Sequence, residues 1–154
     1  RLDEQLFRDF CDKLGYTPIV FHSFHNVGNQ RLPIYHTNVM MCVAEQFVVI
    51  CLDCIDNELE REKVQEVIKS TEKEVIEISE EQLHQFAGNM LQVQNEEGTQ
   101  FLVMSQTAYQ SLTPEQIQRI ESYCEIIYSD LNTIEVNGGG SARCMLAEIF
   151  LPKN

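Results

Sequence analysis

Cys144 stands behind three consecutive glycines, in the run Gly138-Gly139-Gly140-Ser141-Ala142-Arg143-Cys144-Met145-Leu146, at the head of an apolar segment. Glycine reaches backbone conformations closed to other residues and lets a ligand approach the main chain. A thiol beside such a run is therefore placed as a nucleophile in a crowded pocket. A second polar cluster, Tyr35-His36-Thr37-Asn38, precedes the apolar stretch that opens at Val39 and brings an imidazole. Polar groups at the head of an apolar run need partners or a purpose. Cys144 as nucleophile with His36 as acid and base is the chemistry these residue types support.

The other thiols read differently. Cys11, Cys42, Cys51, Cys54 and Cys124 lie inside apolar-periodic runs with no glycine approach, as small core hydrophobes do. The pair Cys51-Leu52-Asp53-Cys54 lacks the second ligand pair that structural zinc needs, and it does not open a helix as a redox motif would. Reduced thiols, no metal and no cofactor are the expectation. His84 falls on a short polar helix and is expected in solvent, while His22 and His25 flank a strand end and a loop.

Composition narrows the function classes. A chain of 154 residues with 44% hydrophobic content suffices for one domain with a sizeable core. Eleven Lys and Arg against 24 Asp and Glu give a formal charge of -13, which repels a phosphate backbone, so nucleic acid is not an expected partner. No apolar run approaches the ~18 residues of a spanning helix, and the chain does not open on a signal peptide. A cytoplasmic protein without a membrane partner is the expectation. Because the first residue is Arg1 and the chain starts inside a helical pattern, the sequence reads as a truncated part of a longer parent.

The elements that must carry Cys144 and His36 follow from periodicity. Leu2, Leu6, Phe7, Phe10, Cys11 and Leu14 recur at helical spacing and stop at Gly15. Residues 17–21 read as a strand and 26–31 as a polar loop. Residues 34–44 and 47–52 read as a hairpin, 58–71 as a charged helix with Val64, Val67 and Ile68 on one stripe, and 74–78 as a returning strand. Ser79 with Gln82 makes a capping box for a short helix. The pattern then recurs: a hairpin at 89–93 and 101–104, a helix opening at Thr113-Pro114 with Gln116 closing its cap, and a strand at 125–128. Strands at 134–136 and 145–151 begin a third unit.

Three segments align on one another: Thr37-Asn38-Val39-Met40, Gly88-Asn89-Met90-Leu91 and Arg143-Cys144-Met145-Leu146. Self-similarity at roughly 50 residues marks a propeller or stacked array. Equivalent positions then face one axis, so Asn38, Asn89 and Cys144 converge. His36 lies on the same face of its strand as Asn38.

The segments PIYHTNVMMCVAEQFVVICLD, FAGNMLQV and NGGGSARCMLAEIFLP resemble those of the guanidino-group-modifying superfamily, the penteins, over nearly all of the chain. The likeness is nearest to its citrulline-utilization hydrolase branch, the amidinotransferase-like relatives of arginine deiminase. It implies an α/β propeller of ββαβ units about a pseudo-fivefold axis, here an incomplete ring of about three units. Residues 1–154 would form the C-terminal part of a single catalytic domain, with the missing N-terminal half as its partner.

The same resemblance makes Cys144 the nucleophile and His36 the catalytic histidine. Asn38, Asn89 and Ser141 are the candidate substrate contacts. In arginine-handling relatives the histidine is followed two residues later by an aspartate that holds the cationic guanidinium. An amide at Asn38 both donates and accepts, which suits a neutral ureido group. The implied function is hydrolysis of the ureido or guanidino C–N bond of citrulline or an arginine-related compound, with little activity from the isolated piece. Exposed edges on a cut ring predict self-association. Two alternatives are a noncatalytic pentein-fold binding module and an unrelated cysteine hydrolase with an oxyanion hole at residues 138–141.

Overall fold

The computed structural model describes residues 3–148. Helix α1, Glu4–Leu14, is capped by the Asp3 carboxylate on the Leu6 N–H and ended by Gly15 at φ 72°. Residues 17–21, expected as a strand, form no element. Ile19 and Phe21 instead pack against the core from a segment without regular structure. The expected loop at 26–31 is part of a hairpin, β1 (Phe24–Val27) against β2 (Gln30–Pro33). Gly28 at φ 60° makes its turn.

Two three-stranded sheets follow, built alike. β3 (Met41–Val43) pairs antiparallel with β4 (Phe47–Ile50), and β4 pairs parallel with β5 (Glu74–Glu77) after helix α2 (Glu58–Ser70). β6 (Leu91–Gln94) pairs antiparallel with β7 (Gln100–Ser105), and β7 pairs parallel with β8 (Glu125–Ser129). Between β5 and β6 lies the short helix α3 (Glu80–His84). Between β7 and β8 lie α4 (Gln106–Ser111) and α5 (Pro114–Glu121). Every residue of β4 is buried, because strands flank it on both edges and its β-branched residues pack on both faces. The capping boxes at Ser79 and Thr113 are both present.

One core spans both sheets, from Met40, Phe47 and Ile76 to Leu102, Met104 and Ile120. Polar bonds join them as well. Arg119 binds the Glu74 carboxylate and donates to the Val75 carbonyl at 2.7 Å, and Gln116 Nε2 reaches the Glu77 carbonyl at 2.7 Å.

Two expectations near the site are corrected. His36 and Asn38 are not on a strand. His36 caps a 3₁₀ turn, Thr37–Val39, and β3 starts only at Met41, so a shared strand face is not what brings the two together. Residues 134–136 lie within helix α6, Asn132–Gly138, which ends at Gly139 with φ 68°. Ile134 and Val136 have no strand beside them, and β-propensity without a pairing partner stabilises nothing. Cys144 sits in another 3₁₀ turn, Ala142–Met145. Of the strand expected at 145–151, residues 145–148 show none and 149–151 lie outside the described residues. Among the described residues no helix is long and apolar enough to cross a membrane.

Candidate active site

His36, Asn38, Asn89 and Cys144 line one cavity of about 460 Å³, with Tyr35, His25, His84 and Arg143 also on its walls. The Cys144 thiol is exposed, whereas Cys11, Cys42, Cys51, Cys54 and Cys124 are buried and free. Burial pushes the Cys42 thiol up to about 12 and raises that of Cys124. The Cys54 thiol donates to the Cys51 sulfur at 3.3 Å, which lowers Cys51 and raises Cys54 from their ordinary values.

Three chain segments hold His36, Asn38, Asn89 and Cys144. The Thr37–Val39 turn presents His36, whose Nδ1 accepts the Asn38 N–H at 3.0 Å. A neutral ring in this bond carries its proton on Nε2. The segment after α3 descends through Phe86, at φ 65°, to Gly88 and Asn89. A Cβ on Gly88 would lie 2.5 Å from the Val39 carbonyl oxygen and 2.8 Å from the Met40 carbonyl carbon, so only glycine allows this close passage. The third segment is the glycine run. A Cβ on Gly140 would meet both Cβ and Sγ of Cys144 at 3.2 Å, which explains the bare backbone beside the sulfur.

Asn89 ties these segments together. Its Nδ2 donates to the Asn38 carbonyl at 3.1 Å and to the Cys144 sulfur at 3.2 Å, and its own carbonyl accepts the Arg143 N–H at 3.3 Å. Ser141 belongs elsewhere. It is fully buried, its hydroxyl donates to Glu135 Oε1 at 2.6 Å, and it does not line the cavity. The Cys144 N–H returns to the Ser141 carbonyl at 3.1 Å, so Ser141 shapes the turn under the thiol.

Sequence reasoning missed the cavity's outer wall. His25 on β1 and His84 on α3 stack with ring centroids 5.4 Å apart; His84 is exposed on its short helix, as expected, and the stacking is the part the sequence does not announce. Burial, then the neighbouring His84, push His25 below its ordinary value. The wall is fastened by Arg31 on β2, which donates to Glu80 at 2.6 Å and to Asp56 at 2.6 Å. Glu80 also accepts the Asn26 N–H. Nothing in local spacing announces a contact between residues 25 and 84. The one sequence signal is Arg31 itself, a lone charge between Lys13 and Glu45 that needs an acidic partner from elsewhere in the chain.

The repeated sheets and a thiol and imidazole on one cavity are the marks of the guanidino-group-modifying superfamily, the penteins, an arginine-related hydrolase-like group. Over residues 1–151 the chain matches the family described as N,N dimethylarginine dimethylhydrolase, eukaryotic, and it belongs to that family. No curated protein matches the chain. Among solved structures it is similar to apo ArgZ, an arginine dihydrolase from the ornithine-ammonia cycle in cyanobacteria, with a TM-score of 0.65 and 14% identity. That likeness covers 98% of this chain and 22% of ArgZ and reflects the fold; the chain spans about a fifth of that protein's length.

Proposed function

We propose that this chain carries the nucleophile and the acid–base histidine of a thiol hydrolase acting on the ureido or guanidino group of citrulline or an arginine-related compound. The supporting observation is that Cys144 and His36, remote in sequence, line the same cavity and that the thiol is exposed there. The two like-ordered sheets support reading them as neighbouring blades of a pentein ring.

In this reading the Cys144 thiolate adds to the central carbon, forming a C–S bond while a C–N bond breaks. The thiol's proton passes to His36 and from there to the departing nitrogen, which leaves as ammonia or an amine. Because Nδ1 is engaged with the Asn38 N–H, the ring takes up a proton by opening that bond, which gives an imidazolium whose Nε2–H is free to donate. Water then attacks the thioester-like carbon with His36 as base and frees the sulfur. A ureido group treated so gives an amine, carbon dioxide and ammonia. A guanidino group gives a ureido product.

The walls favour the neutral substrate. Among the described residues no Asp or Glu lines the cavity, whereas Arg143 does, and Asn38 offers an amide in place of a carboxylate. A cation meets no counter-charge on these walls, while a ureido oxygen and its N–H groups meet amides and imidazoles.

The test has two arms. Incubation with a chloroacetamidine-type warhead followed by mass spectrometry is expected to place the label on Cys144. Turnover assays with citrulline, arginine and dimethylated arginine are then run on the chain and its Cys144→Ser variant, with loss of all turnover in the variant expected. From these 154 residues alone turnover is expected to be small. Label on another residue, or hydrolysis surviving in Cys144→Ser, overturns the assignment. No label at all would leave a noncatalytic binding module.

A further inference from the structure

Asn89 makes contacts that suit a role other than holding substrate. Its side chain is buried, its residue being 4% exposed, and both Nδ2 hydrogens are committed, one to the Asn38 carbonyl and one to the Cys144 sulfur. The amide oxygen is buried with no hydrogen-bond partner. A probe the size of water does not reach it, so a ligand in the cavity does not reach it either. Rotating the amide would offer that oxygen to the thiol, but it would also set oxygen against oxygen at Asn38. The Asn38 carbonyl therefore fixes which end of Asn89 faces the sulfur.

We infer that Asn89 is a positioning residue for the nucleophile: it aims a fixed N–H at Cys144 Sγ, favouring the thiolate and holding the sulfur in register with the His36 turn. This deepens the reading of Cys144 as the reactive thiol and rests on it, and it moves Asn89 out of the set of substrate contacts. The physical cause is plain. A donor directed at the charged form of an acid stabilises that form, and the thiolate is the nucleophile. The donor costs no reorganisation, because its other hydrogen and its backbone carbonyl are already bonded to the two neighbouring segments. Gly88 lets this backbone pass against Val39 and Met40, which sets the amide at the junction of both turns.

Iodoacetamide alkylation of Cys144 needs no substrate, so it tests Asn89 apart from the hydrolase reading. In the chain as it stands, the rate of label at Cys144 is followed by mass spectrometry across pH. Asn89→Asp keeps the shape and turns an acceptor oxygen toward the sulfur. It is expected to slow labelling at neutral pH about tenfold and to move the profile's midpoint up by about one pH unit. Asn89→Leu, which removes both Nδ2 bonds without adding a charge, is expected to move it up by less. Asn89→Asp also sets a new negative charge beside the sulfur, so Asn89→Leu decides: there a merely structural Asn89 would lower the melting temperature and leave the midpoint where it was, and that result overturns the inference.

Should either variant fold poorly, the unmutated chain still decides. The Asn89 side-chain amide signals in ¹H–¹⁵N NMR are expected to shift with the same midpoint as alkylation and to change again once Cys144 is capped. Amide signals that ignore both events overturn the inference as well.

Discussion

Glu135 and Ser141 form a buried pair in which Oε1 of the carboxylate accepts the serine hydroxyl at 2.6 Å, while Oε2 accepts the Thr107 hydroxyl at 2.7 Å. The pair fastens helix α6 to the turn that carries Cys144 and to the start of α4. Glu135→Ala leaves the buried Ser141 hydroxyl and the half-buried Thr107 hydroxyl without their acceptor and is expected to cost about 2 kcal/mol in urea unfolding. Ser141→Ala is expected to cost about 1 kcal/mol. Both should slow alkylation of Cys144 through a looser turn, and unchanged stability in both would show that the pair anchors nothing.

Thiol selectivity follows from burial. Five cysteines lie in the core and Cys144 alone is exposed among the described residues. One equivalent of iodoacetamide at pH 7.5 is expected to modify Cys144 at least tenfold faster than any other cysteine of the folded chain, whereas all six react in urea. Peptide mapping reads the ratio. Equal labelling of Cys42, whose thiol burial pushes up to about 12, would contradict the packing.

Gly88→Ala is expected to be among the most damaging single-methyl changes. The added Cβ would overlap backbone atoms of Val39 and Met40, which cannot swing aside as a side chain can. A loss of about 2–3 kcal/mol in denaturant unfolding is expected, together with slower labelling of Cys144 as Asn89 is pushed off the sulfur. A variant as stable as its parent would mean that the two segments do not pass so closely.

Acid should unfold the chain in two stages. His25 is held below its ordinary value of 6.5 by burial and by His84, so the unfolded chain takes up that proton first. Stability is then expected to begin falling as pH drops below about 6.5. Glu74 is held low by the Tyr123 hydroxyl and, against the cost of burial, by Arg119. In Glu80 burial is the largest effect and raises it, but the Asn26 N–H and Arg31 outweigh that and leave it low. Both acids contribute stability that is complete above the unfolded value of 4.5 and is lost as pH falls through their lower native values. Urea midpoints at pH 7.5, 5.5 and 4 test this. Arg119→Ala should flatten the second stage and cost about 1 kcal/mol at pH 7. A midpoint independent of pH down to 4 would refute the account.

Local signals were legible in the amino-acid order because they depend on neighbours within a turn or two. The stop of α1 at Gly15, the capping boxes at Ser79 and Thr113, and the recurrence of hairpin, helix and parallel strand all came from spacing alone. So did the contrast between five buried cysteines and an exposed Cys144 behind its glycines. Where the reading failed, β-rich composition was taken for a strand that had no partner. Residues 17–21 form no regular element and 134–136 are helical, because strand propensity stabilises only when another strand lies beside it.

The sequence by itself determined the helix caps, the recurring order of hairpin, helix and strand, and which thiol is exposed. The aligned repeats brought Asn38 and Asn89 to Cys144, and tertiary structure alone decided which atoms meet there. His25 and His84 meet across a wall that neither neighbourhood encodes, Ser141 turns inward to Glu135, and Asn89 turns its N–H to the sulfur. Each is a contact between segments far apart along the chain, fixed by how the sheets and turns pack, and short-range propensity carries no record of such meetings.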